Sequence, residues 1–250
     1  MSFSDEEVDR YARHLVLREI GGPGQQALKR ARVLMVGAGG LGAPAALYLA
    51  AAGVGRIVLI DHDAVSLSNL QRQILYEAKD VGASKVEVAA QRLTGINPHV
   101  TIEPAASALT PDNARALFSD VDMVLDGTDN FATRFVVNRA CVEAGRPLVS
   151  GAIGRWTGQV GVFAGQPCYR CLVSEAPPDV ETCSAVGVVG ALAGVMGSMM
   201  ALEAIKIITH AGEALTGRLL IFDGLAAEAR TVRIGADPEC PDCGGPRPAA

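Results

Sequence analysis

The residues best placed to do chemistry lie between positions 36 and 130 of this 250-residue sequence. Gly37-Ala38-Gly39-Gly40-Leu41-Gly42 follows the apolar run RVLMV (32–36) and precedes an alanine-rich stretch. That context reads as a glycine turn leading from a buried strand into a helix. Glycines there let the backbone approach a phosphate, and the helix start supplies N–H donors and partial positive charge. Asp61 ends the next apolar strand, where a carboxylate accepts a ribose hydroxyl; Asp63 lies two residues on. Ser68, Asn69, Arg72 and Gln73 follow, and Lys85 stands at the start of a helical stretch. A dinucleotide's two phosphates are largely satisfied by backbone donors. A triphosphate carries about four negative charges and calls for arginine, lysine and a divalent metal. Asp129, in Asp126-Gly127-Thr128-Asp129-Asn130 at the end of a third strand, suits magnesium, which needs few protein carboxylates besides phosphate oxygens. No Gly-x4-Gly-Lys-Ser/Thr loop occurs, which excludes P-loop phosphoryl transfer. An NAD-dependent oxidoreductase would use the glycine turn and Asp61 but leave Arg72, Lys85 and Asp129 without work.

Six cysteines stand at 141, 168, 171, 183, 240 and 243. Cys168/Cys171 and Cys240/Cys243 form two Cys-x-x-Cys pairs far apart in the chain, the ligand set of a closed structural zinc site. Cys141 falls mid-helix among apolar neighbours and reads as core.

These residues need a scaffold, and the periodicity supplies one. Strands are expected at 32–36, 56–61, 100–104, 123–126 and from 148. Helices are expected at about 43–52, 85–94 (closed by Gly95 and Pro98), 111–119 and 133–144. The alternation predicts an α/β, Rossmann-like, mostly parallel sheet flanked by helices. Strand-like pieces at 158–163, 218–222 and 229–233 read as antiparallel extensions of it. Residues 4–30 read as helical, interrupted by GGPGQ (21–25). The expected organisation is a single domain over 1–250: a helical segment 1–30, a nucleotide half 31–150, a second half 151–243 and a flexible tail 244–250. The uncharged stretch 185–202 approaches the length of a spanning helix, but its Gly and Ala content and the Glu203 and Lys206 that follow favour a buried helix.

Composition narrows the class. Apolar residues make up 49% and charged residues 20%, which excludes a disordered chain. Lys and Arg total 22 against 27 for Asp and Glu, a net charge of −5 that argues against nucleic-acid binding. The first residues, MSFSDEEVDR, are acidic where a secretory leader is basic and then apolar, so a cytoplasmic location is the expectation.

Taken together, RYARHLVL (10–17), VGAGGLG (36–42), LIDHDAVSLSNLQRQ (59–73), Lys85, DGTDN (126–130), PLVSGA (147–152), CYRC (168–171), ETC (181–183) and CPDC (240–243) resemble the ThiF/MoeB family. These are bacterial relatives of the ubiquitin-activating enzymes, and the likeness runs from about residue 7 to residue 243. The resemblance implies ATP-dependent adenylation of the C-terminal Gly-Gly carboxylate of a small ubiquitin-like sulfur carrier, with release of pyrophosphate. It places the nucleotide on Gly37, Gly39, Gly40 and Gly42, with Asp63, Ser68 and Gln73 in the same site. Asp61 would hold the ribose, Asn69, Arg72 and Lys85 the phosphates, and Asp129 magnesium, with Asn130 beside it. Arg13 would reach in from the partner subunit of a homodimer. Cys183 matches a position that forms a thioester or persulfide in some members, within a loop (175–184) over the site. Arg155 and Trp156 would border the carrier's tail. The cysteine pattern is closest to the branch serving molybdopterin synthase, shared with thiamine-pathway members. No room remains for a rhodanese domain, so sulfur would come from a separate donor. A non-catalytic zinc scaffold binding a ubiquitin-like partner would account for the cysteines alone.

Overall fold

The computed structural model describes residues 2–176 and 187–244. Its centre is one eight-stranded sheet in the order β3-β2-β1-β4-β5-β6-β7-β8. The strands are β1 (Arg32–Val36), β2 (Arg56–Ile60), β3 (Thr101–Ala105), β4 (Met123–Asp126), β5 (Leu148–Ile153), β6 (Thr157–Phe163), β7 (Arg218–Asp223) and β8 (Glu228–Arg233). β1 to β5 pair in parallel. β6, β7 and β8 add antiparallel, as their alternating pattern predicts.

Helices cover both faces, which is why the central strands are apolar runs rather than alternating ones. Val33 and Met35 of β1 enter one core with α3 (Gly21–Arg30), α4 (Gly42–Ala51), α5 (Lys85–Ile96) and the long α9 (Gly190–Thr209). Leu34 and Val36 enter the other, under α6 (Pro111–Ser119), α7 (Phe131–Ala144) and the short α8 (Tyr169–Leu172). The first turns α1 (Asp5–Arg10) and α2 (Ala12–Leu15) are tied down by buried Tyr11, whose hydroxyl accepts a 2.8 Å bond from Asn97 Nδ2.

Three expectations need correction. GGPGQ does not interrupt a helix; it opens α3. Pro23 sits in that helix's first turn, where its missing N–H costs nothing, and the break falls at residues 16–20 instead. α5 runs through Gly95 and stops at Asn97, the residue that Pro98 bars from helical geometry. The long helix spans 190–209 and carries Glu203 and Lys206 inside it. Glu203 is buried because its Oε2 accepts the Leu215 N–H at 2.7 Å and Lys206 sits at 2.5 Å from Oε1. α9 is long and apolar enough to cross a membrane, but it packs on β5, β6, α3 and α4. Its small residues permit that approach: a Cβ on Gly197 would stand 2.4 Å from Leu41 O and from Pro44.

Candidate active site

The strand order reverses between β1 and β4, so their carboxyl ends splay apart and open a crevice there. A cleft of about 470 Å³ occupies it. β1 leads into the glycine turn, β2 into Asp61 and β4 into Gly127–Asn130, so three strand ends deliver their loops to one place. The turn is sterically committed: Gly37 has φ +89°, and a Cβ on Gly42 would lie 1.9 Å from Gly37 O. Tyr76 pins the turn from beneath, its hydroxyl donating to Ala38 O at 2.7 Å, and burial pushes that phenol's pKa up.

Asp61 faces the turn. Its Oδ2 accepts from Ala38 N and its Oδ1 from Asp63 N, each at 2.8 Å, which leaves lone pairs on both oxygens for a hydroxyl donor. Arg72 and Lys85 both line the cleft with Gly37, Gly39, Gly40, Asp61, Asp63, Gln73, Asp129 and Asn130. Arg72 is held by its own turn, Nη1 donating to Ser68 O at 3.1 Å, and a Cβ on Gly40 would come 3.5 Å from its Cγ. Lys85 has a side chain only 5% exposed and meets Asp63 Oδ2 at 2.7 Å. That bond holds the Asp63 carboxyl below its usual range. Gln73 is buried with an Oε1 that finds no hydrogen-bond partner.

Asp129 is exposed and makes no hydrogen bond or ion pair among the described residues. Its neighbour Asn130 is the N-cap of α7, accepting from Thr133 N at 2.8 Å. A carboxylate with both oxygens unspent, beside a phosphate-binding turn, is what a magnesium ion takes up.

Ser68 and Asn69 do not line the cleft of this chain; their main-chain oxygens hold Arg72 and Gln73 in place. Arg13 is exposed on α2 and does not line it either. Cys183 lies outside the described residues. Trp156 is exposed in the turn between β5 and β6.

Sequence reasoning missed Arg134. It is 5% exposed, lines the cleft, and donates to Thr128 O, to Gly151 O at 2.7 Å and to Ser150 Oγ at 3.1 Å. Those bonds brace the Asp129 turn against the middle of β5. The available signal was an arginine four residues after the N-cap, one turn into a helix and therefore facing back toward the cap. Asp126, 1% exposed, does similar work, its Oδ1 accepting from Thr128 N and Oγ1 at 2.9 and 2.7 Å.

The four cysteines at 168, 171, 240 and 243 converge although 72 residues separate the facing partners. Their sulfurs lie within 4.8 Å of one another, with Cys168–Cys240 at 3.5 Å and Cys171–Cys243 at 3.4 Å. Tetrahedral zinc, with Zn–S of about 2.3 Å, sets sulfurs about 3.8 Å apart. The donor set therefore fits zinc. Asn138 donates to Cys168 Sγ and to Asp242 Oδ2, and Arg139 grips Asp242 Oδ1 at 3.0 and 3.1 Å, so α7 anchors the knuckle. Cys141 is buried in the core, and burial pushes its thiol pKa up.

Comparison with known proteins agrees with this architecture. The ThiF family model matches residues 11–242. A sulfur carrier protein adenylyltransferase of Thermus thermophilus is 47% identical, over 98% of this chain and 93% of that one. A molybdopterin-synthase adenylyltransferase of Escherichia coli is 46% identical, over 96% and 98%. A crystal structure of E. coli MccB with MccA-N7isoASN superposes with TM-score 0.84 at 23% identity, covering 96% of this chain and 76% of that one, a likeness of fold. The chain belongs to the ThiF family.

Proposed function

We propose that this protein is an ATP-dependent adenylyltransferase that activates the C-terminal Gly-Gly carboxylate of a small ubiquitin-like sulfur carrier, for molybdopterin or thiamine sulfur transfer. The observation that carries this reading is the convergence of Arg72, Lys85 and unpaired Asp129 on one glycine turn. The nucleophile is a terminal carboxylate with a pKa of roughly 3.5, already ionised at neutral pH, so no general base is needed. One of its oxygens attacks the α-phosphorus of ATP. The bond to the bridging oxygen breaks, and pyrophosphate leaves with the electron pair. The barrier is repulsion between two anions plus the charge gathering on the leaving group.

Electrostatic stabilisation and positioning answer both. Arg72 and Lys85 neutralise phosphate oxygens, and the glycine turn's N–H groups cradle them. Lys85 exchanges Asp63 for phosphate as the nucleotide enters. Asp61 accepts from the ribose and Gln73 Oε1 from a donor on the nucleotide. Asp129 would hold magnesium, which shields the phosphate charge. Arg134 keeps the Asp129 turn in register with β5. Arg13, exposed on α2, serves the site of a second copy in a homodimer, and Ser68 and Asn69 support the phosphate-binding turn. The four thiolates hold zinc as a structural fastener, joining the C-terminal segment to α7 and α8. The chain works as one adenylation domain, with residues 31–150 serving the nucleotide and 151–243 the carrier and the zinc. Sulfur comes from a separate donor.

The test is carrier-dependent exchange of labelled pyrophosphate into ATP, with purified carrier ending in Gly-Gly and with a carrier lacking its last glycine. Exchange with the first and none with the second supports the reading. Exchange with neither, at carrier concentrations that saturate a family relative, overturns it.

A further inference from the structure

A second cavity lies along α6 and α7, flanked by Arg146 and Arg170. It measures about 920 Å³, a size at which pockets bury small ligands. Its floor is apolar: Ala114 and Phe118 of α6, Phe135, Val136 and Ala140 of α7. Its walls carry four arginines, Arg115, Arg139, Arg146 and Arg170, against a single carboxylate, Glu143. That concentration of positive charge stands out in a chain of net charge −5.

The guanidinium groups are unevenly used. Arg139 is committed to Asp242. Arg115 makes no hydrogen bond or ion pair among the described residues. Arg146 donates one bond, Nη2 to Ser119 O at 3.3 Å, and Arg170 one, Nη2 to Ser174 O at 2.6 Å. The Nε–H groups of Arg146 and Arg170 are both buried without an acceptor. Both Nε–H groups are closed to solvent, so what an entering anion would meet is the remainder of each guanidinium, on exposed Arg115 and half-buried Arg146 and Arg170. Asp122 feels the charge of Arg146 but hydrogen-bonds Arg32. Arg170 also stacks its guanidinium 4.5 Å from the Phe135 ring centroid, forming a flat cationic–aromatic platform.

We infer that this groove is a second binding site, for a small organic anion: an oxyanion, phosphate or carboxylate, carried on a flat apolar group. The oxyanion meets Arg115, Arg146 and Arg170. The flat group rests on Phe135 and its apolar neighbours. The inference is independent of the adenylation reading, because no residue of this groove lines the nucleotide cleft.

The test uses the zinc-loaded full chain, with the fluorescent aryl sulfonate 1-anilinonaphthalene-8-sulfonate as reporter and phenyl phosphate as competitor. One saturable reporter site per chain is expected. Phenyl phosphate should displace the reporter at least tenfold better than inorganic phosphate, with or without saturating ATP and magnesium. The double variant Arg115→Ala/Arg146→Ala should weaken phenyl phosphate at least tenfold while zinc content and pyrophosphate exchange stay unchanged. Unsaturable reporter binding, displacement by ATP itself, no preference for phenyl phosphate over inorganic phosphate, or a double variant that binds as before overturns the proposal. Should the double variant fail to fold, amide shifts of the unmutated protein on adding phenyl phosphate decide. Shifts at Ala114, Ala140 and Ala144 sustain the site; shifts confined to Gly39 and Gly40, or none, sink it.

Discussion

The two ends of the same parallel strands carry similar charges and use them oppositely. At the amino ends, Arg32 of β1 is bonded to Asp120 and Asp122, and Arg56 of β2 to Glu103 and Asp120. Both of these cations are matched by carboxylates. At the carboxyl ends, Arg72 bonds only a main-chain oxygen, Asp61 accepts only main-chain N–H groups, and Asp129 has no partner among the described residues. Of the cleft's lysine and arginines, Lys85 alone meets a carboxylate among the described residues. Charge that is spent internally holds strands together. Charge kept unspent at the topological switch point is available to a ligand, and the fold supports it with neutral main-chain groups instead.

The sharpest way to break that contrast is to remove charge from each end in turn. Arg72→Ala and Asp129→Ala should each lower carrier-dependent pyrophosphate exchange by about 10²–10³-fold, the scale of a lost preorganised electrostatic contact. Their melting temperatures should stay at the wild-type value, since neither side chain holds another side chain in place. Near-wild-type exchange in either variant removes that residue from the machinery. Arg134→Ala separates a third class: it should lower exchange and melting together, because its guanidinium ties Thr128 to β5.

The thiolate knuckle is expected to behave as the amino ends do, as structure without chemistry. Withdrawing the proposed zinc with a chelator would leave four sulfurs within 4.8 Å with nothing to bind them. The loss should be on the order of several kcal/mol. At roughly 2–4 °C per kcal/mol for a chain of this size, the melting temperature falls by about 10 °C. Exchange measured well below the new midpoint should keep most of its rate. Exchange that vanishes at once on chelation, before any loss of secondary structure by circular dichroism, contradicts a purely structural zinc.

Much of this was legible in the sequence because the signals are local. RVLMV, MVLD and PDNARALFS mark β1, β4 and α6 at their observed bounds, since apolar runs between turn residues and a Thr–Pro helix start leave few alternatives. The glycine turn, Asp61, Arg72, Lys85 and Asp129, which line one cleft in the structure, could be singled out from the sequence because phosphate and metal chemistry demand particular residue types. The supporting residues were not. Tyr76 acts through the main-chain oxygen of Ala38, 38 residues away, and Arg134 ties Thr128 to Ser150 and Gly151, up to 17 residues away; the helix position of Arg134 hints at the cap, but nothing local announces these distant partners. GGPGQ misled because glycine and proline usually end helices, yet in the first turn proline is tolerated and α3 opens there. The end of α9 was misplaced because Glu203 looked like a solvent boundary, and only the fold supplies the Leu215 N–H that buries it.

The amino-end network gives the smaller effects. Arg56→Ala should leave pyrophosphate exchange unchanged while lowering stability by about 1 kcal/mol, the scale of a partly exposed ion pair, read as a few degrees in thermal melting. The same substitution should also change how stability responds to acid. The hydrogen bond from Arg56 holds the Glu103 carboxyl below its usual range, and that from Lys85 does the same for Asp63. A carboxyl whose pKa is lower in the folded state contributes stability above its unfolded value of about 4, and loses it as pH falls through the folded value. The wild-type melting temperature should therefore hold level from pH 7 to about 5 and decline below about 4. In Arg56→Ala the Glu103 share of that decline disappears, so the two curves should converge toward low pH. Parallel curves would mean that Glu103 titrates alike in both proteins, and that the pair at the strand starts is no more than proximity.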